Sequence, residues 1–413
     1  MRVALVHYTA PPVVGGVEKV LGRHAALLAD AGHEVTIVAA RGEATDARIP
    51  FVRIALADSL DPTIVELQHE LDAGRVPATF GEVRDALVDE LAAALAGQDV
   101  VICHNVASIA KNLALTAALH DLVTRPGAGR FVLWHHDLTA AQPAQAARLH
   151  DGYPWDLLRT AWPDVVNVAI SDLRRRELAT VTGLPAEAIT VVPNGVDVAA
   201  LLRLDPATVR LLERFDLAAA DPLLLMPVRV MARKNVELGL RVVAAMRAAG
   251  RSAGLVVAGP ADPHDSTDGS YPATVLALRD SLGLGDAAWF PGLEAASGLP
   301  DAVIADLYQL ADVLFLPSYE EGFGIPLLEA AVFRLPIVCS DLPALREVAG
   351  DDALYIGPTD EPADVARRVI ARLDADPVAR VAGRTRRDSS WAAIYRTSIA
   401  PLLDDAAART SRA

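Results

Sequence analysis

The sequence is poor in cysteine and has no long apolar run. Only two cysteines, Cys103 and Cys339, occur in 413 residues, and each lies in a short apolar segment. This argues against a disulfide framework or a catalytic thiol and predicts two buried free thiols. No apolar segment approaches the roughly 20 residues of a membrane-spanning helix. The apolar start, residues 1–6, is too short for a secretory signal and is typical of a first strand.

Positive charge is also scarce. The chain has 38 Lys and Arg against 53 Asp and Glu, a net charge of −15. This excess of negative charge argues against a nucleic-acid partner and against strong attraction to anionic lipid. Hydrophobic residues make up 52% and charged residues 22%, a composition typical of a globular protein of two or three domains at this length. These features together predict a cytoplasmic protein.

The first half opens with an α/β pattern. Residues 2–7 predict a strand, apolar residues at helical spacing follow from Val17, and residues 35–40 predict a second strand. Strand, glycine turn, helix and strand form a βαβ unit, the opening of a Rossmann-like domain. The Gly15-Gly16 turn alone is a weak phosphate signal, because the full dinucleotide fingerprint is missing.

Polar residues follow two further strands of this half. His104 and Asn105 end one strand, and His135, His136 and Asp137 end another. The carboxyl ends of parallel strands are where open α/β sheets bind ligands. A metal site is the alternative, but adjacent strand residues point to opposite sides and no further ligands are evident nearby.

A second α/β pattern starts at Leu223 and carries two cations after its first strand. Arg229 and Lys234 have four residues between them, and a loop presenting Arg and Lys suits a diphosphate group. The alternative for an isolated pair of this kind is an ordinary exposed basic loop.

The densest pattern is PSYEEGFGIPLLEAA at residues 317–331. A short apolar strand precedes it, and a helix with Pro326 as its first residue is predicted to follow. The glycine-bearing turn leaves room for a ligand at the helix N-terminus. Glu321 lies in the turn and Glu329 in the first helical turn, where a carboxylate is also favoured for structural reasons alone.

This segment resembles the E-x7-E signature of the retaining glycosyltransferases with the GT-B fold, specifically glycosyltransferase family 4. Residues 193–197, PNGVD, and the R-x4-K pair also resemble that family. The resemblance implies an α/β protein with two Rossmann-like domains facing across a cleft. Residues 1–200 would bind the acceptor and 201–387 the nucleotide-sugar donor. A terminal helix at about 388–413 would cross back to the first domain.

The resemblance also implies roles for individual residues. Glu321 would lie by the donor sugar and Glu329 would hold the ribose hydroxyls, while the cation pair would neutralise the diphosphate. His136 would reach the donor sugar, with Asp137 orienting it or the acceptor; His135 is the alternative active histidine. The implied catalytic residues are His136, Asp137, Arg229, Lys234 and Glu321. The implied donor-binding residues are Gly15, Gly16, Arg229, Lys234, Leu293, Glu321, Gly322, Phe323, Gly324, Ile325 and Glu329.

The reaction implied is transfer of a hexosyl unit, with retention, from a UDP-sugar or GDP-mannose to an acceptor hydroxyl. The leaving diphosphate would take the acceptor proton. No metal or other cofactor is expected, because the two cations replace a divalent ion. A sugar, glycoside or small metabolite is favoured over a lipid as acceptor, and the sequence predicts no oligomeric state.

Other hypotheses about the function of the protein remain open. They are a non-catalytic sugar-nucleotide-binding partner subunit, a sugar-nucleotide epimerase or a phosphorylase of the same fold, and a bilobed dehydrogenase. The missing G-x-G-x-x-G argues against the dehydrogenase. Two positions depart from the family pattern, since Val228 and Arg334 stand where family members carry glycine.

Overall fold

The computed structural model describes residues 1–125, 130–262, 270–295 and 298–410. The chain separates into two compact units. Unit 1 consists of Met1–Gly195 and Trp391–Ala413, and unit 2 of Val196–Ser390. The chain therefore passes between units at Gly195–Val196 and at Ser390–Trp391, whereas the sequence placed these points near 200 and 388.

Unit 1 is built on a seven-stranded sheet in the order β3-β2-β1-β4-β5-β6-β7, with every neighbouring pair parallel. Its strands are β1 Arg2–Val6, β2 Glu34–Ala39, β3 Phe51–Arg53, β4 Val100–His104, β5 Arg130–His135, β6 Val166–Ala169 and β7 Ile189–Val191. The chain builds outwards from β1 to β3 and then returns to β4 on the other side of β1. The carboxyl ends of β1 and β4 therefore form a topological switch point, where such sheets bind ligands.

Helices cover both faces of this sheet, which is why its strands are nearly continuous apolar runs. In β1, Val3 and Leu5 enter one core, while Ala4 and Val6 enter another. The helices before the crossing are α1 Gly16–Asp30, α2 Pro62–Asp72, α3 Phe80–Ala94, α4 Leu113–Val123, α5 Pro143–Ala146 and α6 Asp172–Thr182.

The final segment of the chain completes unit 1. It contains α17 Trp391–Ile394, a π-helical turn at Tyr395–Ile399 and α18 Ala400–Thr410. Ile394, Leu403 and other apolar residues of this segment are buried with β1, β4 and β5 in one core. The predicted return of the terminal helix to the first domain is therefore present.

Unit 2 repeats the plan with six parallel strands in the order β10-β9-β8-β11-β12-β13. The strands are β8 Leu223–Met226, β9 Gly254–Val257, β10 Ala288–Trp289, β11 Val313–Leu316, β12 Ile337–Ser340 and β13 Leu354–Ile356. The helices are α7 Val198–Leu202, α8 Pro206–Phe215, α9 Val236–Ala248, α10 Ser270–Ser281, α11 Pro291–Glu294, α12 Asp301–Leu310, α13 Ile325–Val332, α14 Pro343–Ala349, α15 Pro362–Ala375 and α16 Pro377–Asp388. Its switch point lies between β8 and β11.

The fold class predicted from the sequence is confirmed: each unit is an α/β structure around one parallel sheet. Cys103 and Cys339 are free and buried, as expected, and burial raises the pKa of the Cys339 thiol to about 12. Over the described ranges, no helix combines the length and the apolar character required to cross a bilayer.

Candidate functional site

The two loops at the switch point of unit 2 are joined by a buried ion pair. Lys234 lies in the loop after β8, and Glu321 lies in the loop after β11. The Nζ of Lys234 donates to Glu321 Oε1 over 2.5 Å. Ser318 Oγ donates to the same oxygen over 2.7 Å. The Lys234 side chain is 11% exposed and that of Glu321 is 8% exposed. The predicted cation and the predicted carboxylate are therefore in direct contact.

Asn235 fixes the loop that carries Lys234. It has a φ of +53°, a conformation that Asn tolerates better than most residues. Its Nδ2 donates to the carbonyls of Pro317 and Pro358 over 3.0 and 2.8 Å. The first bond ties the loop after β8 to the loop after β11, and the second ties it to the segment after β13, so that the backbone beside Lys234 is fixed at two points.

Arg229 occupies an open position in the same loop. Its side chain is 53% exposed, and its Nη1 lies 3.9 Å from Asp262 Oδ1. The neighbouring Val228 is not among the residues with positive φ, so the backbone does not require the family glycine there. Instead, the backbone of Gly259 packs closely against Val228: a Cβ added at Gly259 would lie 2.2 Å from the Val228 carbonyl oxygen.

Helix α13 starts earlier than the sequence pattern predicted. Gly324, with a φ of +100°, is its N-cap and Ile325 its first residue. Glu329 therefore lies in the second helical turn, so its placement in the first turn was wrong; the reason is that proline fits the second position of a helix as well as the first. The Glu329 carboxylate accepts a hydrogen bond from the Tyr308 hydroxyl over 2.6 Å. Burial, and to a smaller extent this hydrogen bond, raises the pKa of Tyr308.

The remaining predicted donor contacts of unit 2 differ in exposure. Phe323 is 52% and Ile325 60% exposed, and a Cβ added at Gly322 would meet no atom within 4 Å. This stretch beside Glu321 is thus open to a ligand. Leu293 lies in α11 and is half-buried against the core of unit 2.

In unit 1 the glycine turn lies at the carboxyl end of β1. Gly15 is the N-cap of α1, which starts at Gly16. The Glu18 carboxylate folds back over the turn, where Thr9 Oγ1 donates to its Oε1 over 2.5 Å. A Cβ added at Gly15 would lie 2.0 Å from Glu18 Oε2, so glycine is required for this arrangement.

The two adjacent histidines point to opposite sides, as the strand geometry predicted. His135 Nε2 lies 3.1 Å from Asn167 Oδ1, and His136 Nε2 lies 3.0 Å from His104 Nδ1. His136 is 4% exposed, and burial lowers its pKa to about 3. Its imidazole is therefore neutral near pH 7 and is directed towards a buried histidine.

Asn105 shapes the turn after β5. It has a φ of +60°, and its Oδ1 accepts from the backbone N–H groups of His136 and Asp137 over 2.7 and 3.1 Å. Asp137 also lies 3.7 Å from Arg174. The sequence marked Asn105 as polar at a strand end but gave no sign of this role.

A cavity of about 770 Å³ opens at this edge of unit 1. It brings together Gly15, Gly16 and Asp137 of the predicted site, and Asn105 and His7 also line it. His136 is not among its lining residues. Within the described parts of the chain, no group of three or more His, Cys, Asp or Glu side chains is arranged to hold a metal ion.

Two family models match the chain, one over each half. Residues 14–200 match "Glycosyltransferase Family 4" and residues 211–388 match "Glycosyl transferases group 1". Together these matches include every predicted site residue and the switch point of unit 2, whereas β1 of unit 1 lies before the first match. The chain therefore belongs to glycosyltransferase family 4, as the E-x7-E segment indicated.

Curated relatives carry related names. D-inositol 3-phosphate glycosyltransferase of Kineococcus radiotolerans is 32% identical over 59% of this chain and 50% of its own. The chain therefore spans half the length of that relative. MMP alpha-(1->4)-mannosyltransferase of Mycolicibacterium hassiacum is 28% identical over 97% of both chains. Mannosylglucosylglycerate synthase of Thermotoga maritima is 25% identical over 82% of this chain and 80% of its own.

Solved structures give a weaker likeness. Sucrose-phosphate synthase from Thermosynechococcus elongatus aligns with 98% of each chain at 20% identity, with a TM-score of 0.37. WaaG, a glycosyltransferase involved in lipopolysaccharide biosynthesis, aligns at 17% identity with a TM-score of 0.34, over 96% of this chain and 99% of its own.

Proposed function

We propose that this protein is a retaining glycosyltransferase that moves a hexosyl unit from a nucleotide-diphosphate sugar to an acceptor hydroxyl. The observation that carries the proposal is the Lys234–Glu321 pair at the switch point of unit 2. Four residues separate Arg229 from Lys234, and seven separate Glu321 from Glu329. These side chains, which lie in two adjoining loops and in helix α13, supply cations for a diphosphate and carboxylates for sugar hydroxyls.

The cations bind the donor diphosphate. Arg229 is half exposed and has only a long contact of 3.9 Å with Asp262, which its guanidinium can exchange for two parallel bonds to phosphate oxygens. Lys234 is held by Glu321 and acts as a point charge beside them. Since the two side chains neutralise the diphosphate themselves, the reaction requires no metal ion.

The carboxylates bind the sugars of the donor. Glu329 is exposed and its Oε2 is anchored by Tyr308, which leaves Oε1 for the ribose hydroxyls. Glu321 uses one oxygen for Lys234 and Ser318 and offers the other to the transferred hexose. Glu321 is thus a positioning group and no covalent nucleophile is needed.

Transfer takes place on one face of the sugar. The acceptor oxygen bonds to the anomeric carbon as the bond from that carbon to the diphosphate oxygen breaks. The acceptor proton passes to the leaving diphosphate, and the cations stabilise the charge that develops there. Asp137 lines the cavity of unit 1 and orients the acceptor. His136 reaches the donor sugar only if its bond to His104 is exchanged.

Two of the relatives carry a mannosyl unit in their names, which supports GDP-mannose as a donor to test beside UDP-sugars. The intact charged residues of unit 2 support an enzyme over a non-catalytic partner subunit. A free sugar, glycoside or small metabolite is the proposed acceptor.

The test is calorimetric titration with UDP, GDP, TDP and ADP, with and without a chelator. One nucleotide should bind the wild type without metal, and Glu329→Ala should weaken it by about tenfold or more, because a charge-assisted bond is lost. The control is Glu320→Ala, an exposed glutamate of the same loop, which should bind normally. If no nucleotide bound, or if Glu329→Ala bound as tightly as the wild type, the donor site would be wrong.

A further inference from the structure

The cavity of unit 1 contains two cations that no carboxylate neutralises. Lys111 lies in the turn before α4, and Arg148 lies beyond α5. Both are exposed, and in the described part of the chain neither side chain has a hydrogen-bond or ion-pair partner. An exposed Lys and an exposed Arg without partners in one cavity are suited to hydrogen bonds with an anionic ligand.

The carboxylates that line the same cavity are all engaged. Glu18 accepts from Thr9, and Asp137 lies 3.7 Å from Arg174, which is not a lining residue. Asp72 accepts from Gln68 Nε2 over 2.7 Å. Glu18 and Asp72 keep their charge, because Thr9 and Gln68 are neutral, but each of the three carboxylates already has a partner inside the protein. The two cations have none and are therefore available to a ligand.

The wall that carries Lys111 is held in place from several directions. Asn112, the next residue, is 1% exposed. Its Nδ2 donates to the Leu56 carbonyl over 2.9 Å, and its Oδ1 accepts from the Leu115 N–H. On the other side, the Ala110 N–H donates to Thr139 Oγ1 over 3.0 Å. The backbone that carries Lys111 is therefore fixed before a ligand arrives.

The wall that carries Arg148 is held by His150, two residues further along the chain. Its Nε2 lies 3.1 Å from the Asp72 carbonyl oxygen, and its ring packs edge-on against Trp155. Gln142 and Gln145 precede Arg148 on this wall and also line the cavity. Their amides are suited to the hydroxyl groups of a polyol, since each amide both donates and accepts.

We propose that this cavity binds the acceptor and that the acceptor carries a phosphate or carboxylate group, held between Lys111 and Arg148. This inference rests on the proposed function. It narrows the range of candidate acceptors from small hydroxylated molecules in general to those that carry a negative charge. Phosphate and carboxylate share the negative oxygens that a Lys and an Arg recognise, and the test separates the two.

The test is titration of the full chain with glucose 6-phosphate, glucuronate and glucose. At least one charged sugar should bind about tenfold more tightly than glucose. Lys111→Met and Arg148→Met should each remove most of that advantage. Arg176→Met, an exposed arginine on α6 outside the cavity, is the matched control and should change nothing.

Each result of the titration either identifies the charged group of the acceptor or contradicts the proposal. Preference for glucose 6-phosphate alone assigns a phosphate, and preference for glucuronate alone assigns a carboxylate. Equal binding of glucose and both charged sugars, or no binding of any of the three, overturns the inference. So does a loss of nucleotide affinity in Lys111→Met and Arg148→Met without any effect on the sugars, because the cations would then serve the donor.

Donor binding and slow hydrolysis of the donor without acceptor are measured in the same variants. If the wild type binds and hydrolyses a nucleotide sugar but shows no preference for anionic sugars, the inference fails and the proposed function stands. If charged sugars bind and no nucleotide does, the site is real and the proposed function fails.

Discussion

At the scale of single residues, Lys234 and Glu321 place opposite charges where both side chains are about nine-tenths buried. Desolvation of two charges is costly, and their attraction offsets it only while both are present. Removal of one leaves the other buried without an opposite charge beside it. The pair therefore links the stability of unit 2 to the site that we propose binds the donor.

Substitution at this pair separates stability from activity. Lys234→Met and Glu321→Gln should each lower the free energy of unfolding by about 2 kcal/mol. The double variant should lose at least about 1 kcal/mol less than the sum, because no charge is left unpaired. Nucleotide release from the donor should nevertheless fall about 100-fold or more in both variants that lack Lys234. Urea denaturation and a nucleotide-release assay measure these effects; additive losses of stability would show that the two side chains are not coupled.

Arg334 carries a second prediction at this scale. It follows α13 with a φ of +56°, at the family's glycine position, and a side chain in this conformation costs about 1 kcal/mol. Arg334→Gly should therefore raise the free energy of unfolding by about 0.5–1 kcal/mol. Arg334→Ala is the matched control, since it removes the charge but keeps the Cβ. A gain of the same size in alanine would assign the effect to charge and not to backbone conformation.

At the scale of elements, the start of α13 depends on one glycine. Gly324 has a φ of +100°, and a Cβ there would lie 2.5 Å from Leu345 Cδ2 of α14. Gly324→Ala should destabilise unit 2 by about 2 kcal/mol or more, from backbone strain and overpacking together. Gly322→Ala, two residues earlier in open space, should change stability by less than about 0.5 kcal/mol. Thermal unfolding of the two variants side by side tests this difference.

The elements themselves were largely predictable, because parallel strands buried on both faces are conspicuous apolar runs. The ends of two strands agree with the prediction: β4 was predicted to end in His104 and Asn105 and ends at His104, and β5 was predicted to end in His135 and His136 and ends at His135. The start of one helix was not predicted correctly. Helix α13 starts at Ile325, whereas Leu327–Phe333 with Pro326 at its start was predicted. Proline tolerates either of the first two helical positions, so the pattern alone does not choose between them.

The candidate site could be proposed from the sequence where its residues lie close together in the chain. Glu321 and Glu329 share one segment, and the resemblance to a known family made them candidates. The roles of Tyr308 and Asn105 were missed because they act through contacts across 21 and 31 residues. The sequence also gave no sign that His136 would turn towards His104. Such contacts depend on which strands are neighbours.

At the scale of the whole molecule, imidazoles are concentrated in unit 1. Five buried histidines lie there: His7, His24, His104, His135 and His136. Desolvation lowers the pKa of His7 and of His135 to about 4, and that of His24 to about 3. These groups are neutral in the folded state near pH 7, whereas in the unfolded chain they titrate near the ordinary value of about 6.5.

Unit 1 should therefore lose stability in acid. Between pH 6.5 and about 4 the unfolded chain binds protons that the folded unit does not, so the free energy of unfolding falls as the pH falls. For His7 alone, the drop from pH 7 to pH 5 is about 2 kcal/mol. Tryptophan fluorescence in urea measures this, because four of the five tryptophans, all but Trp289, lie in unit 1. His24→Phe should flatten the pH dependence, and a midpoint that did not move between pH 7 and 5 would contradict it.

The two crossings between units have a consequence for synthesis. Gly195–Val196 and Ser390–Trp391 are the crossing points, and the Val196 N–H donates to the Ser389 carbonyl over 2.8 Å. Unit 2 is thus an insertion within unit 1, and on the ribosome its sequence is finished first. The apolar core that receives Ile394 and Leu403 stays uncovered until those residues emerge. The half of the molecule whose synthesis begins first is therefore the last to complete its fold, and translation that stops near residue 390 would leave a finished unit 2 beside an exposed sheet.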